Sequence, residues 1–376
     1  MADDAQDYSK CAKLKVALVH DWLTGMRGGE RCLEVFCELF PRAEIYTLVH
    51  IRGKLSPTIE RMPVHESFVR KLPMVEKRYR HYLPLFPRAI ESLKIADCDL
   101  VLSSSHCVAK GAIAPPGVPH VCYCFTPMRY VWDLYDDYFG PQRAGSAVRA
   151  AMGMVRGRLR KWDVDSAARV KEFVAISDFI ADRIRRHYGR ESKVIYPPVE
   201  SGRFSISREV GDYYLVVSAL APYKRVDLAV EACRKLGRRL LVVGTGQDEA
   251  RLKAIAGPGV EFLGWKSDEE VAALYSRCRA FIFPGVEDFG ITPLEAMASG
   301  RPVIAYGMGG ALETVVEGKT GVFFKKQTAE GLCGAMERFE EIEGGFRPEE
   351  LRSHAENFDT RIFKRRIAEF VTAMVG

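Results

Sequence analysis

Short runs rich in Val, Ile and Leu recur along this chain, each followed by a helical stretch. That alternation constrains the fold more than any other feature. In the first half the runs are LKVALV (14–19), AEIYTLV (43–49), DLVLSS (99–104), HVCYC (120–124), FVAI (173–176) and KVIY (193–196). In the second they are YYLVVS (213–218), RLLVVG (239–244), VEFLG (260–264), AFIF (280–283), PVIAY (302–306) and GVFF (321–324). Strands that are apolar throughout, rather than in alternation, have both faces buried. Separated by amphipathic helices, they belong to parallel sheets covered on both sides. Six runs and then six more give an α/β chain with two Rossmann-like parallel-sheet domains. The paired prolines and the Ser-Gly of YPPVESGRFS (196–205) stop helix and strand alike and set the boundary. Residues 1–198 form one domain and 199–355 the second. A last segment, 356–376, contains a helix at about 359–374 whose role the pattern alone does not give. Open sheets of this kind bind ligands beyond the carboxyl ends of their strands, so two of them facing each other put a site in a central cleft.

Composition removes several classes. With 47% hydrophobic residues over 376 positions, the chain has the material for sizeable cores and is neither disordered nor collagen-like. No apolar run approaches the roughly 18 residues of a membrane-spanning helix. The opening MADDAQDYSKCAKLK lacks the basic-then-apolar layout of a secretory leader, so a cytoplasmic location is expected. Ten cysteines lie mostly inside apolar runs with no CxxC pair, which implies reduced, buried thiols and no metal site. The net charge of +6 is uneven: residues 1–198 hold 31 Lys and Arg against 23 Asp and Glu, and the remainder 24 against 26. The excess gathers at Arg70, Lys71, Lys77, Arg78 and Arg80, and at Arg149, Arg156, Arg158, Arg160 and Lys161. Such a face suits an anionic lipid surface or an anionic substrate, and an ordinary solvated helix face explains it equally. Nucleic acid is not an expected partner, because the clusters lack interleaved aromatic residues or a recognition module. Val148, Met152, Val155, Leu159 and Trp162 recur at helical spacing and read as a core-facing stripe.

Loops after strands carry the candidate chemistry. In HDWLTGMRGGE, Gly28 and Gly29 precede a helix beginning near Glu30, where glycine allows close approach of a ligand and the helix end favours an anion. The pattern is not GxGxxG, and a plain tight turn remains an alternative. In LAPYKRVDLAVEA, Lys224 and Arg225 sit at the positive end of a helix beginning near Val226. Cations there oppose the helix dipole unless an anion lies between them and the amides. In GVEDFGITPLEAMASG, Thr292 suits an N-cap, Pro293 the first helical position and Gly300 the stop. Glu295 then completes a capping box with Thr292. Glu287 has no such structural explanation, and a carboxylate beside an anion-binding helix end can accept hydrogen bonds from sugar hydroxyls. Gly244 and Gly246 follow another strand, as do Gly264 and Trp265; Ser267 and Glu270 form a second candidate capping box. Trp265 reads either as a stacking platform for a base or as a half-buried core residue. The histidines are scattered; His106, in SSSHCVAKG, lies at a strand end, and both a ligand role and a structural one stay open.

The run VVSALAPYKRVDLAVEA, with VVGTGQ, FLGW, EDFGITPLEAMASGRPVIAYGMGGALETV and GKTGVFF, resembles glycosyltransferase family 4, enzymes of the GT-B fold. The first half agrees through RGGE (27–30), FVAISDFIADRIRRHYG (173–189) and VIYPPV (194–199). HDWLTGMRGGE, HVCYCFTPMRYVWD and APYKRVD are similar to the WbaZ-like mannosyltransferase subgroup, which builds surface polysaccharides. The resemblance implies a retaining, metal-independent transfer from a nucleotide-diphospho-sugar, GDP-mannose first, to a saccharide or lipid-linked saccharide acceptor, with no cofactor. It implies catalytic roles for Glu287 and Lys224. Lys224, helped by Arg225, would neutralise the donor diphosphate, and amides around Phe289, Gly290, Ile291 and Thr292 would hold phosphate and sugar. Glu287 would bind sugar hydroxyls and Glu295 the ribose. Gly264 would lie against the base, Gly28 and Gly29 would leave room for the diphosphate, and Gly244 would line the donor site. The last helix would cross back to the first domain, and the basic first half would meet the inner face of a membrane. Two positions depart from the pattern. Ala219 stands where the family carries arginine, and Phe125 where it carries a histidine directed at the donor sugar. An apolar ring cannot hydrogen-bond a C6 hydroxyl, so a 6-deoxy sugar or a pentose also fits. Asp21 and Arg129 are nearby polar candidates for donor-sugar or acceptor contact. A nucleotide-sugar epimerase and a non-catalytic nucleotide-sugar binder on the same fold are the alternatives.

Overall fold

The structure is a computed structural model and describes residues 8–133, 135–140 and 145–375. The first seven residues of the polar opening segment lie outside the described residues. The chain divides into two compact units, Met1–Tyr196 with Phe363–Gly376, and Pro197–Ile362.

The first unit holds a seven-stranded sheet: β1 (Val16–His20), β2 (Glu44–Thr47), β3 (Val64–Glu66), β4 (Leu100–Ser105), β5 (His120–Cys124), β6 (Glu172–Ala175) and β7 (Ser192–Val194). Their order in space is β3-β2-β1-β4-β5-β6-β7. The second unit holds β8 (Tyr213–Val217), β9 (Arg239–Val243), β10 (Val260–Gly264), β11 (Phe281–Phe283), β12 (Val303–Tyr306) and β13 (Gly321–Phe324), in the order β10-β9-β8-β11-β12-β13. The pairings are parallel. All twelve apolar runs are strands. The thirteenth, β3, is three residues of Val-His-Glu at the sheet edge, too short and too polar to stand out in sequence. Each sheet reverses its winding once, between β1 and β4 and between β8 and β11. In open sheets of this kind ligands bind beyond the carboxyl ends of the strands at such reversals.

Local signals place the helices. Ser177 caps the helix Asp178–Tyr188, and Thr328 caps Ala329–Ile342. Ser267 and Glu270 close the expected capping box at the start of Asp268–Arg277. The helix Ile291–Ala298 stops at Gly300, whose φ of 73° allows its amide to reach Met297 O while the Arg301 amide reaches Ala296 O, at 2.8 and 2.9 Å. That pair of bonds is the Schellman stop. The return to the first unit comes at Phe363, inside the helix Thr360–Val375, and not at 356. The helix Pro348–Glu356 stays with the second unit because Arg352 donates to the carbonyls of Phe204 and Ala298, at 2.7 and 3.1 Å. Beyond it, Phe363 packs its ring 5.7 Å from Phe36 and 5.6 Å from Tyr123.

The helical stripe at 148–162 is core-facing, as its spacing implies: Met152 and Leu159 are buried, Val155 and Trp162 pack on the same cluster, and Val148 at its start is exposed. Two of its cations are used internally. Arg156 and Arg160 both donate to Val131 O and lie over the rings of Tyr135 and Trp132. Beneath them is a buried polar knot. Lys110 Nζ lies 2.9 Å from Asp163 Oδ1, while Trp132 and Tyr188 donate to Asp163 Oδ2 at 2.8 and 2.9 Å. Among the described residues no helix is long and apolar enough to cross a membrane.

Two stability outcomes follow from these contacts. Lys110→Ala leaves Asp163 charged and buried without its cation, which costs about 3–5 kcal/mol. Urea unfolding followed by tryptophan fluorescence reads this directly, and a loss below about 1 kcal/mol would rule out a charged pair there. In the second unit, the hydrogen bond from Arg238 is the main influence on Glu340, whose pKa falls from 4.5 to about 2. A depressed carboxylate stabilises the fold above its unfolded pKa and loses that contribution as pH falls through the folded one. The second unit should therefore weaken between about pH 4.5 and 2. In Glu340→Gln that acid limb should flatten and neutral-pH stability should drop, as measured by denaturation at several pH values.

Candidate functional site

In the second unit the winding reversal brings Lys224 and Glu287 together. After β8 the chain makes one 3-10 turn, Pro222–Lys224, then passes through Arg225 at φ 53° into the helix Val226–Leu236. A non-glycine residue at positive φ is strained and marks a constrained loop. After β11 the loop 284–290 runs to the helix Ile291–Ala298. Lys224 Nζ lies 2.5 Å from Glu287 Oε1, and the two side chains are 23% and 18% exposed. The pair is largely but not fully buried.

The loop carrying Glu287 is clamped by glycines. Gly310 N donates to Glu287 O at 2.9 Å, and Glu287 bridges to Gly309. A Cβ on Gly310 would lie 2.3 Å from Phe289 Cα, and one on Gly285 3.0 Å from Lys224 O. Neither glycine was singled out from the sequence as part of the site, although the GMGG run (307–310) after β12 was a visible signal. Phe289 is buried against Phe358, with ring centres 5.9 Å apart, so its side chain anchors the loop.

The expected capping box at Thr292 is not formed. The helix begins at Ile291 with Gly290 as its N-cap, at φ 97° and with no side-chain bond, so Thr292 is the second helical residue and Pro293 the third. Gly290 takes a left-handed conformation closed to Thr, and a proline is tolerated anywhere in a first turn because those amides lack helical partners. The amides of Ile291 and Thr292 are thus first-turn donors at the positive helix end. Glu295 is freed from the capping role and accepts from the Tyr275 hydroxyl at 3.2 Å.

The other candidates separate. Arg225 is held by Asp227 two residues on, at 3.2 Å, so a carboxylate of its own helix answers its charge. Gly244, at φ 125°, is required by the fold itself: a Cβ would fall 1.9 Å from Ser218 O. Gly264, at φ 67°, borders open space where its Cβ would be, and its carbonyl accepts from Gly244 N at 2.8 Å. Trp265 beside it is 77% exposed, not a half-buried core residue.

In the first unit the reversal lies between β1 and β4. The helix Gly28–Leu39 starts at Gly28, two residues before the expected Glu30, so both glycines lie in its first turn. A Cβ on Gly29 would sit 3.3 Å from the Phe125 ring. Glu30 is buried beside His20, whose Nε2 is 3.9 Å away. Burial pushes the Glu30 pKa up, but the hydrogen bond and charge of His20 outweigh it and the net direction is down. Asp21 is not a substrate contact. It is fully buried, and both of its oxygens accept backbone amides, from His106 and Cys107 at 2.7 and 3.0 Å and from Val108 and Ala109 at 2.6 and 2.8 Å. Burial alone would raise its pKa; the charge and hydrogen bond of His106 and the backbone amides hold it far below the usual carboxylate range. His106 Nδ1 lies 3.0 Å from Asp21. Phe125 is buried at the end of β5, and Arg129 is half-exposed beyond it. Among the described residues no three His, Cys, Asp or Glu side chains are grouped to hold a metal ion.

Residues 26–203 match the model described as Glycosyltransferase Family 4, and residues 203–358 the model described as Glycosyl transferases group 1. The chain is similar to the O-antigen chain mannosyltransferase RfbU of Salmonella typhimurium, at 30% identity over 37% of this chain and 43% of that one. It is also similar to a GDP-mannose-dependent alpha-mannosyltransferase of Mycobacterium tuberculosis, at 37% identity over 28% of each chain. The matched part spans less than half the length of either relative. Among solved structures, Anabaena HepE in complex with UDP and glucose superposes with a TM-score of 0.71 at 18% identity, covering 96% of this chain and 99% of that one. At that identity the likeness concerns the fold, which is GT-B. The chain therefore carries a glycosyltransferase family 4 domain over residues 26–203, followed by a glycosyl transferases group 1 domain over residues 203–358.

Proposed function

We propose that this chain is a retaining glycosyltransferase that moves mannose from GDP-mannose to a saccharide or lipid-linked saccharide, without a metal or other cofactor. The observation that carries the reading is the Lys224–Glu287 pair at the β8/β11 reversal, beside the first turn of the helix Ile291–Ala298. Departure of the sugar puts growing negative charge on the leaving phosphate, and a fixed cation with helix amides stabilises it. Lys224 takes that role, with the amides of Gly290, Ile291 and Thr292. The sugar becomes oxocarbenium-like, and Glu287 holds its hydroxyls in place. The bond from C1 to the diphosphate oxygen breaks and the bond from C1 to the acceptor oxygen forms on the same face. The acceptor's proton passes to the leaving phosphate. Glu295, oriented by Tyr275, faces the ribose hydroxyls, and the open space at Gly264 with the exposed Trp265 suits a base.

GDP-mannose is favoured over other donors because mannosyltransferases are among the similar proteins, one of them GDP-mannose-dependent. UDP-glucose is the competing donor, since HepE was solved with UDP and glucose. A cytoplasmic enzyme working against the inner face of a membrane fits the basic first half. Phe68, Met74 and Leu85 are exposed among Arg70, Lys71, Lys77, Arg78 and Arg80, an arrangement suited to anionic lipid.

The test is release of nucleoside diphosphate from GDP-mannose or UDP-glucose, with methyl α-mannoside as acceptor. Lys224→Ala and Glu287→Ala should each lower kcat about 10²–10³-fold while the thermal midpoint holds. Gly310→Ala, which pushes the Glu287 loop out of place, should lower turnover without touching any charged group. Turnover that survives both charge removals would rule out this site. Donor binding with no turnover in the unmodified chain would point to a non-catalytic binder, and an epimerised donor without acceptor to an epimerase.

A further inference from the structure

The first unit has the same kind of topological reversal as the second, and in the segment 100–112 along and after β4 His106 is the one residue that is not buried. We propose that His106, oriented by Asp21, is a substrate-contacting residue of the first unit that accepts a hydrogen bond from a sugar hydroxyl through its Nε2; this rests on the glycosyltransferase reading above.

Three observations carry it. The first is position. Asp21 follows β1 and His106 follows β4, the two strands between which the sheet reverses, and ligands of open parallel sheets bind beyond the carboxyl ends at such a point. The second is exposure. From Leu100 to Ala112 every residue is buried except His106, whose side chain is 21% exposed. The segment after β4 wraps its amides around Asp21 and leaves this single imidazole facing out.

The third is orientation. Four backbone amides donate to the Asp21 carboxylate, two to each oxygen, and His106 adds a fifth contact through its side chain. An ionised carboxylate only accepts, so His106 Nδ1, 3.0 Å away, must donate to it. In the neutral ring this fixes the tautomer and leaves Nε2 as the acceptor nitrogen. Trp22, edge-on at 4.5 Å between ring centres, holds the plane of the ring. A carboxylate behind an imidazole is the arrangement that aims the opposite nitrogen at a ligand. The Phe125 ring, 6.4 Å from His106, supplies an apolar wall beside it. Together they suit a saccharide, which presents C–H faces and hydroxyl groups at once. The neighbouring His20 is excluded from this role, being buried with its Nδ1 bonded to Ser104 at 2.7 Å. Asp21 is the positioning residue; His106 makes the contact.

The hydroxyl belongs either to the donor sugar or to the acceptor, and kinetics separate the two. The unmodified protein, His106→Ala and His106→Gln are assayed for nucleoside diphosphate release and, in parallel, for calorimetric binding. The probes are GDP-mannose and UDP-glucose as donors and methyl α-mannoside as acceptor. His106→Ala should raise KM and Kd for one of these, donor or acceptor, by about five- to tenfold, the scale of one lost hydrogen bond. The constant for the other should stay within about twofold and the thermal midpoint should hold. His106→Gln keeps a side-chain acceptor and should recover part of the loss, as a purely structural role would not. Unchanged constants for both substrates in His106→Ala would overturn the proposal. So would an equal loss for donor and acceptor in both variants together with a lowered thermal midpoint, the pattern of a structural residue. An unmodified chain that binds and turns over none of the probes fails the transferase reading and takes this proposal with it. An active chain indifferent to His106 fails the proposal alone.

Discussion

The contact between Lys224 and Glu287 depends on strand order. The two residues are far apart in sequence, but β8 and β11 are neighbours because the sheet winds outward in one direction from β8 and then restarts from β11 on its other side. Parallel pairing makes both strands end at the same edge of the sheet, so both following loops leave from it. An ammonium from one loop meets a carboxylate from the other, at 2.5 Å, with an eight-residue helix opening beside them. Under the proposed function the two charges have different substrate partners, phosphate for the cation and hydroxyls for the carboxylate. Paired in this way, each charge is compensated by the other at a largely buried position.

The glycines around this pair make the geometry rigid. Gly309 and Gly310 let backbone pass at distances a Cβ would forbid, Gly285 lies where a Cβ would be tight, and the Glu287 carbonyl is tied down by an amide. Gly290 turns the chain into its helix in a conformation other residues avoid. A site that must hold charge through a transition state benefits from such fixed backbone, because little reorganisation is left to occur during the reaction. The first unit uses the same principle differently. There the buried Asp21 gathers four amides, and the loop so formed presents His106.

The sheets were readable from sequence because their strands are buried on both faces and so appear as unbroken apolar runs. β3 escaped because an edge strand of three residues has no such run. The start of the helix after Arg225 was readable from the loop ending in Lys-Arg and the apolar residues that follow. The start of the next site helix was misread because Thr-Pro-x-Glu imitates a capping box, while the conformation of Gly290, which decides the matter, leaves no mark in composition. The sequence places Arg225 toward an anion, and the structure pairs it with Asp227, two residues on. Asp21 reads in sequence as a candidate substrate contact because its actual partners are backbone amides of residues 106–109, which a pattern of side chains does not show. Side chains that meet through the sheet order, such as Lys224 with Glu287, could be joined only through the resemblance to glycosyltransferase family 4.

The most direct measurement is a crystal structure of the chain grown with GDP-mannose. The expected result places the diphosphate within hydrogen-bonding distance of Lys224 Nζ and of the amides of Ile291 and Thr292, with Glu287 turned from the lysine toward the sugar hydroxyls. A nucleotide bound elsewhere, with the Lys224–Glu287 pair still closed, would contradict the assignment of this pair as the donor site.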